Sequence, residues 1–158
     1  MFKNILVPLD GSHTSGLGLD EAIKLAKNQN ASLYLLHIVD DQVLYEGDFS
    51  GGGTYVVELL QDMLDSGKKI LAAAEAKVRK QHIRSKTILI ETLGGLVSDL
   101  IVQEAKKVKA DLIVLGTHGR RGVKRMVMGS DAEGVVREAP VPVLLVNSTA
   151  LPMTETGK

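Results

Sequence analysis

The apolar run Asp111-Leu112-Ile113-Val114-Leu115 ends directly in Gly116-Thr117-His118-Gly119, and nine residues then separate Gly119 from Gly129-Ser130. An apolar run followed by glycines predicts a buried strand that opens into a loop before the next helix. Glycine permits positive φ and lets backbone N–H groups approach an anion closely. The window between the glycines carries four cationic side chains, Arg120, Arg121, Lys124 and Arg125. We therefore interpret this stretch as a nucleotide-phosphate site.

Strand-like and helix-like segments alternate on both sides of that stretch. The predicted strands are Asn4–Leu9, Ser32–Val39, Lys86–Glu91, Asp111–Leu115 and Val141–Val146; the predicted helices are Ser15–Lys27, a long one after Thr54, one from Val97 to Val108, and Ser130–Glu138. This alternation predicts an α/β fold: an open, doubly wound, five-stranded parallel sheet with helices on both faces. In the order 3-2-1-4-5 the switch falls between strands one and four, where ligands bind at the strands' carboxyl ends. The turn Asp10-Gly11-Ser12 and the loop 116–130 would both lie there.

Composition excludes several classes of protein. The 158 residues carry 19 basic and 19 acidic side chains and only 3% aromatics, which argues against a nucleic-acid binder. Cysteine is absent, so disulfides and cysteine-ligated metals are excluded. No apolar stretch reaches the ~20 residues that cross a bilayer, and Met1–Asn4 leads into a strand rather than a signal peptide. We expect a cytoplasmic protein without membrane partners, with one domain over residues 1–147 and a flexible tail over 148–158.

Four blocks of the chain resemble the universal stress protein family. They are Asn4–Ser12, Leu35–Val39, the signature Gly116-x2-Gly119-x9-Gly129-Ser130 of the ATP-binding branch, and Ala139–Val146. The resemblance spans residues 1–147 and implies the adenine nucleotide alpha hydrolase-like fold. It also implies a stress-response or signalling regulator that acts through nucleotide-dependent conformation and dimerisation. The implied ligand is ATP or AMP, and the implied partners are a second copy, bound through Val141–Val146, and a further protein that the sequence does not identify.

The resemblance also assigns the nucleotide to particular residues of this chain. Base and ribose would lie at the ends of the first two strands, at the positions of Pro8, Leu9, Asp10 and the backbone of Ile38. Ribose and phosphates would meet the loop residues Gly116, Thr117, His118, Gly119, Arg120, Arg121, Gly122, Gly129, Ser130, Asp131 and Ala132. Asp131 departs from the uncharged residue that several ATP binders carry there. Its carboxylate would repel the phosphates if it pointed at them; if the backbone N–H of Asp131 binds phosphate instead, the carboxylate could turn to solvent or hold Mg²⁺. The preference between ATP and AMP is therefore open.

Several of these residues also have a purely structural interpretation. Asp10 could be an ordinary turn residue instead of a partner for the adenine amino group or a ribose hydroxyl. Ser130 is expected to cap the following helix and to present its hydroxyl to phosphate. Arg120 and Arg121 could form a solvated rim instead of binding phosphate. His37, inside a predicted strand, is expected to be half-buried and neutral.

Two alternative functions remain open at the level of the sequence. A slow ATP hydrolase or phosphotransferase would use Arg120, Arg121 and Asp131, but the chain offers no recognisable general base. His118 has neither a nucleophile nor an orienting carboxylate beside it in sequence, so we assign no catalytic residue, and no metal-ligand spacing is present. A nucleotide-free dimeric module is disfavoured because the glycine signature is intact. The glycine-rich segment 40–54 is a candidate lid over the base.

Overall fold

The computed structural model describes residues 1–41, 44, 53–92, 94–117 and 128–148. The elements within these ranges are β1 (Asn4–Pro8), α1 (His13–Gln29), β2 (Ser32–Val39), α2 (Gly53–Arg79), β3 (Ser85–Glu91), α3 (Val97–Lys107), β4 (Leu112–Gly116), α4 (Ser130–Glu138) and β5 (Val143–Val146). Most of the candidate lid and nearly all of the predicted tail lie outside the described residues, so both stay predictions.

The five strands form one parallel sheet in the order β3-β2-β1-β4-β5, which confirms the predicted topology. β1 lies in the middle of the sheet and pairs with β2 along its whole length. On its other side β1 pairs with β4, where Ile5 faces Leu112 and Leu6 faces Ile113. The strand order therefore switches between β1 and β4, and the carboxyl ends of both strands open at the same edge.

Helices cover both faces of the sheet, as the sequence predicted. Because side chains alternate along a strand, Ile5 and Val7 of β1 face one layer and Leu6 faces the other. The first layer is closed by α1 and α2, through Leu19, Ala22, Ile23, Ala26, Leu71, Ala74 and Val78. The second layer is closed by α3 and α4, through Ile101, Ala105, Ala132 and Val135. The fold is thus doubly wound, with a hydrophobic core on each side of β1.

Helix α1 is longer than predicted at both ends. It begins at His13 because the hydroxyl of Ser12 accepts a hydrogen bond from Ser15 N at 3.2 Å and caps the first turn. It ends at Gln29, followed by Asn30 in the left-handed conformation with φ 54°. Asparagine tolerates that conformation better than most residues, which makes it a suitable helix terminator.

Strand β5 is shorter than predicted, since it begins at Val143 and leaves Val141 and Pro142 outside. Proline has no backbone N–H and cannot donate to a β ladder. The carbonyl of Pro142 still accepts a hydrogen bond from Ile113 N at 3.0 Å. The segment therefore approaches β4 at Pro142 but becomes a regular strand only after it.

Candidate functional site

The turn Asp10-Gly11-Ser12 connects the end of β1 to α1, as predicted. Gly11 has φ 80°, a conformation that favours glycine. Ser12 N donates to Asp10 Oδ1 at 2.9 Å, and Ser12 then caps α1. Asp10 therefore has the structural role of a turn residue, at the edge where the sheet opens.

Gly116, the last residue of β4, lies against the first turn of α1. A Cβ at this position would be 2.8 Å from the carbonyl carbon of Thr14 and 2.9 Å from Ser15 N. Both are backbone atoms that cannot move aside without shifting the helix. The close packing of β4 against α1 thus requires glycine at 116, and it places the start of α1 beside the carboxyl end of β4.

The two ends of the glycine-bracketed loop meet at Thr117. Thr117 N donates to the carbonyl of Val146 at 2.9 Å, and the carbonyl of Thr117 accepts from Gly129 N at 2.9 Å. The chain therefore leaves the sheet at Thr117 and returns to the same place at Gly129. The predicted site residues between them, His118, Gly119, Arg120, Arg121 and Gly122, lie outside the described residues.

Helix α4 begins at this junction, but its cap is not the one predicted. Gly129 occupies the N-cap position with φ −61° and ψ 152°, and within the described chain no side chain caps this helix. The carbonyl of Gly129 accepts from Glu133 N at 2.9 Å, so Ser130 is already the first helical residue. The prediction that Ser130 caps the helix is therefore wrong, because its side chain lies one position too late in the chain.

Helix α4 starts at the same edge of the sheet, beside Thr117. N–H groups at a helix start have no acceptor within the helix and favour an anion. Ser130 and Asp131 are exposed, whereas the side chain of Ala132 is 4% exposed and belongs to the hydrophobic core. Of Ala132, therefore, only the backbone is a candidate for contact with a ligand.

The end of β2 extends past the end of β1. The last backbone bond between these strands runs from Leu9 N to the carbonyl of Leu36, at 2.7 Å. Alternation along β2 turns the N–H and C=O of Ile38 to the same side as those of Leu36, beyond that bond. Within the described residues no further backbone bond joins β1 to β2 there. Ile38 thus offers one backbone donor and one acceptor side by side at the carboxyl edge.

His37 donates to the backbone carbonyl that would otherwise accept the next hydrogen bond between β1 and β2. Its Nδ1 lies 2.6 Å from the carbonyl oxygen of Leu9, and since a carbonyl only accepts, Nδ1 carries the proton. The side chain is 6% exposed, so the expectation of a half-buried histidine is wrong. A Cβ at Gly67 of α2 would lie 2.5 Å from His37 Cδ2. A glycine on the apolar stripe of α2 was the sequence signal for this close packing.

Thr92 connects the chain after β2 to the end of β3. Its hydroxyl accepts from Asp41 N at 3.0 Å and donates to the Asp41 carboxylate, while its own N–H donates to the carbonyl of Val39 at 3.0 Å. Thr92 is 1% exposed, whereas Asp41 is half-buried, so the two bonds between them lie partly out of water. Asp41, near the start of the segment 40–54 proposed as a lid, is thereby held against the end of β3. The sequence carried no signal for this pair.

Two kinds of feature are absent from the described ranges. No three or more histidine, aspartate or glutamate side chains come together in a group that could hold a metal ion. No helix in the same ranges combines the length and the apolar character needed to cross a bilayer.

Comparison with known proteins gives a consistent family. The sequence model of the Universal stress protein family matches residues 1–147. A universal stress protein of Methanocaldococcus jannaschii is 34% identical over 146 residues, covering 92% of this chain and 82% of the relative. The universal stress protein YxiE of Bacillus subtilis is 33% identical over 150 residues, covering 92% of this chain and 99% of its own.

Solved structures of similar proteins have the same fold. Universal stress protein UspA from Lactobacillus plantarum superposes with a TM-score of 0.76 at 28% identity, covering 91% of this chain and 97% of its own. A universal stress protein in complex with cAMP gives 0.64 at 22% identity, with 92% and 97% covered. One from Archaeoglobus fulgidus in complex with dAMP gives 0.62 at 24% identity, with 91% and 97% covered. On its sequence and its fold, the chain belongs to the universal stress protein family.

Proposed function

We propose that this chain binds an adenine nucleotide at the switch between β1 and β4, and that the nucleotide sets its conformation and its contacts with partners. The observation that carries the proposal is the backbone donor and acceptor of Ile38, which stand beyond the last β1–β2 bond. The ends of the glycine-bracketed loop meet at the same edge, at Thr117 and Gly129. The cAMP and dAMP complexes of proteins with this fold support an adenine nucleotide as the ligand.

The backbone of Ile38 fits one edge of adenine. Adenine presents a ring-nitrogen acceptor beside its amino donor, so Ile38 N–H would donate to the ring and Ile38 C=O would accept from the amino group. Guanine presents an oxygen and a ring N–H at the equivalent positions, which reverses both partners. Pro8 and Leu9 would line the base pocket, and the Asp10 carboxylate would stand near the ribose hydroxyls. This arrangement favours adenine without any charged side chain at the base.

The phosphates would lie at Gly129, Ser130 and the first turn of α4. Backbone N–H groups at a helix start attract phosphate, and the exposed Ser130 hydroxyl adds a donor. Asp131, in the same turn, would oppose the outer phosphates of ATP unless Mg²⁺ lay between them. AMP has only the inner phosphate and would bind without that repulsion. We therefore propose that AMP binding does not depend on Mg²⁺, whereas Mg²⁺ strengthens the binding of ATP.

Calorimetric titration of nucleotide-stripped protein tests the proposal. We expect micromolar binding of AMP and of ATP with Mg²⁺, weaker binding of ATP without the metal, and GMP at least about tenfold weaker than AMP because both of its base bonds are mismatched. A ligand at 100 times its Kd stabilises a protein by about 2.7 kcal/mol, so a thermal shift should accompany the heat. No heat and no thermal shift with any of these nucleotides would overturn the proposal.

Replacement of Gly129 tests the phosphate position separately. Its φ of −61° and ψ of 152° suit any residue, so Gly129→Leu should fold normally while its side chain fills the space proposed for phosphate. We expect AMP affinity to fall at least about tenfold, the effect of losing roughly 1.4 kcal/mol. Gly16→Ala is the matched control, because a Cβ at Gly16 meets nothing within 4 Å. Unchanged affinity in a folded Gly129→Leu variant would contradict the phosphate position.

Dimerisation and a cytoplasmic location belong to the same proposed function. β5 is the last strand in the sheet order, and we propose that two copies dimerise through the segment Val141–Val146. A regulator of this kind would respond to the nucleotide pool of the cytoplasm, the compartment that the composition predicts.

A further inference from the structure

We propose that His37 is a positioning residue for the base: it ends the β1–β2 ladder one bond early and so keeps the N–H of Ile38 available to adenine. This inference rests on the proposed function, because the group it makes available is the one assigned to the adenine ring. The hydrogen bonds of the ladder themselves do not depend on a ligand.

The ladder between β1 and β2 has a regular bonding pattern that identifies the missing bond. It starts with Ser32 N donating to the carbonyl of Lys3 at 2.8 Å and runs to Leu9 N donating to the carbonyl of Leu36 at 2.7 Å. In a parallel pair the bonds are evenly spaced, so the next donor is Ile38 N and its acceptor is the carbonyl of Leu9. That carbonyl instead accepts from His37 Nδ1 at 2.6 Å. A side chain therefore replaces the next backbone donor of the ladder.

The packing around the imidazole holds it in this position. The His37 side chain is 6% exposed, and its ring lies so close to α2 that a Cβ at Gly67 would be 2.5 Å from Cδ2 and 3.0 Å from Nε2. The same hypothetical Cβ would be 3.0 Å from Leu89 Cδ1 on the neighbouring strand. The ring thus has neighbours from α2 and β3 that limit its rotation. We therefore expect its bond to Leu9 to persist when a ligand binds.

Removal of the imidazole has a defined consequence for Ile38. The carbonyl of Leu9 would lose its donor, and an unpaired buried backbone group is costly. Ile38 N is the donor that the regular ladder supplies, so the two groups would pair. A nucleotide would then lose one hydrogen bond to its base, or would have to break the new backbone bond first. Either way, affinity for the base falls while the sheet gains a bond.

The first test uses the unmodified protein without nucleotide. Long-range nitrogen spectra of the imidazole should show a proton on Nδ1. A coupling across a hydrogen bond between Ile38 N and the carbonyl carbon of Leu9 should be absent. A proton on Nε2 alone, or a clear Ile38–Leu9 coupling, would overturn the inference without any mutant.

The second test compares variants that keep or remove the donor. In His37→Leu we expect the Ile38–Leu9 coupling to appear and AMP affinity to fall about tenfold, the effect of one hydrogen bond. His37→Asn retains an N–H donor near the Nδ1 position. We expect this variant to show a weaker Ile38–Leu9 coupling and a smaller loss of AMP affinity than His37→Leu. Leu89→Ala is the packing control, since it loosens the surroundings of the ring but leaves the donor. It should lower the Tm without creating the coupling.

Gly67→Ala provides a second route if His37→Leu does not fold. The new methyl group must displace the ring from α2, so the same coupling should appear although the histidine remains. Variants that show no coupling and bind AMP with unchanged affinity would overturn the role of His37. Absence of AMP binding by the unmodified protein would instead overturn the proposed function, and the coupling measured without nucleotide would still decide whether His37 ends the ladder.

Discussion

At the scale of single residues, the space around a glycine decides what a methyl group would do there. Gly134 of α4 faces Ser98 of α3, and a Cβ would lie 2.6 Å from Ser98 Oγ and 2.7 Å from Ser98 Cβ. Gly16 of α1 meets nothing within 4 Å. Both lie inside helices and neither has positive φ, so backbone propensity alone would favour alanine at each. Comparing the two positions therefore distinguishes the effect of side-chain packing on stability from the effect of helix propensity.

We predict opposite effects of alanine at these two sites. Gly16→Ala should stabilise the protein by roughly 0.5–1 kcal/mol, because alanine loses less conformational entropy on folding. Gly134→Ala should destabilise it by about 1–3 kcal/mol, because the methyl group forces α3 and α4 apart. Thermal unfolding followed by circular dichroism measures both, at roughly 2–4 °C per kcal/mol for a chain of this size. Stabilisation by both substitutions would contradict the prediction, because it would show that Ser98 moves aside for the new methyl group at little cost.

The residues predicted most successfully from sequence are those with local partners. Asp10, Gly11 and Ser12 form a turn and a cap within a few positions, so residue type alone indicates their roles. The bond from His37 to Leu9 joins positions 28 apart, and the packing of His37 on Gly67 depends on how α2 crosses the sheet. A sequence shows residue types but not that crossing. The role of His37 therefore became visible only in the structure.

At the scale of elements, α1 and α4 start in different ways. The hydroxyl of Ser12 caps α1 by accepting from Ser15 N at 3.2 Å. Helix α4 has Gly129 at its N-cap and Ser130 already inside the helix. Serine thus stabilises the first helix and has no such role in the last.

We predict that Ser12→Ala costs about 1 kcal/mol of stability, because the first turn of α1 loses its cap, whereas Ser12→Gly costs only a few tenths. Ser130→Ala is the matched control and should change stability by less than about 0.5 kcal/mol. Denaturant unfolding of the three variants gives these differences directly. A larger loss from Ser130→Ala than from Ser12→Ala would contradict the assignment of the caps.

The type and order of the helices and strands could be predicted because apolar periodicity repeats along the whole chain. Where each element begins and ends depends instead on single chemical groups, such as one missing N–H or one capping hydroxyl. The late start of β5 follows from the missing N–H of Pro142, a chemical fact that the apolar pattern of Val141–Val146 conceals. The longer α1 follows from a capping bond to Ser12 and a left-handed Asn30. Much of the candidate phosphate site, residues 118–127, lies outside the described chain, so its arginines remain predictions from sequence.

For the molecule as a whole, the proposed dimer predicts that a charge on the edge strand β5 weakens assembly. Leu144 of β5 is 37% exposed, on the strand proposed to meet a second copy. We expect the unmodified protein to sediment as a dimer and Leu144→Lys to shift it toward monomer, because a buried lysine opposes edge pairing. Val57→Lys, at a 67% exposed position on α2, should leave the dimer intact. A monomeric unmodified protein would contradict the proposed assembly.

The central position of β1 has a consequence for synthesis of the chain. β1 is synthesised long before its partner β4. Asp111, the residue just before β4, accepts hydrogen bonds from Lys3 N at 2.8 Å and from Asn4 N at 3.1 Å. It lies 107 positions beyond Asn4 in the chain. At ribosomal speeds of about 5–20 residues per second, β1 would wait about 5–20 s for that partner. During that interval one edge of the β1–β2 pair is open to other nascent chains. The half-made protein is thus the state that most needs a chaperone.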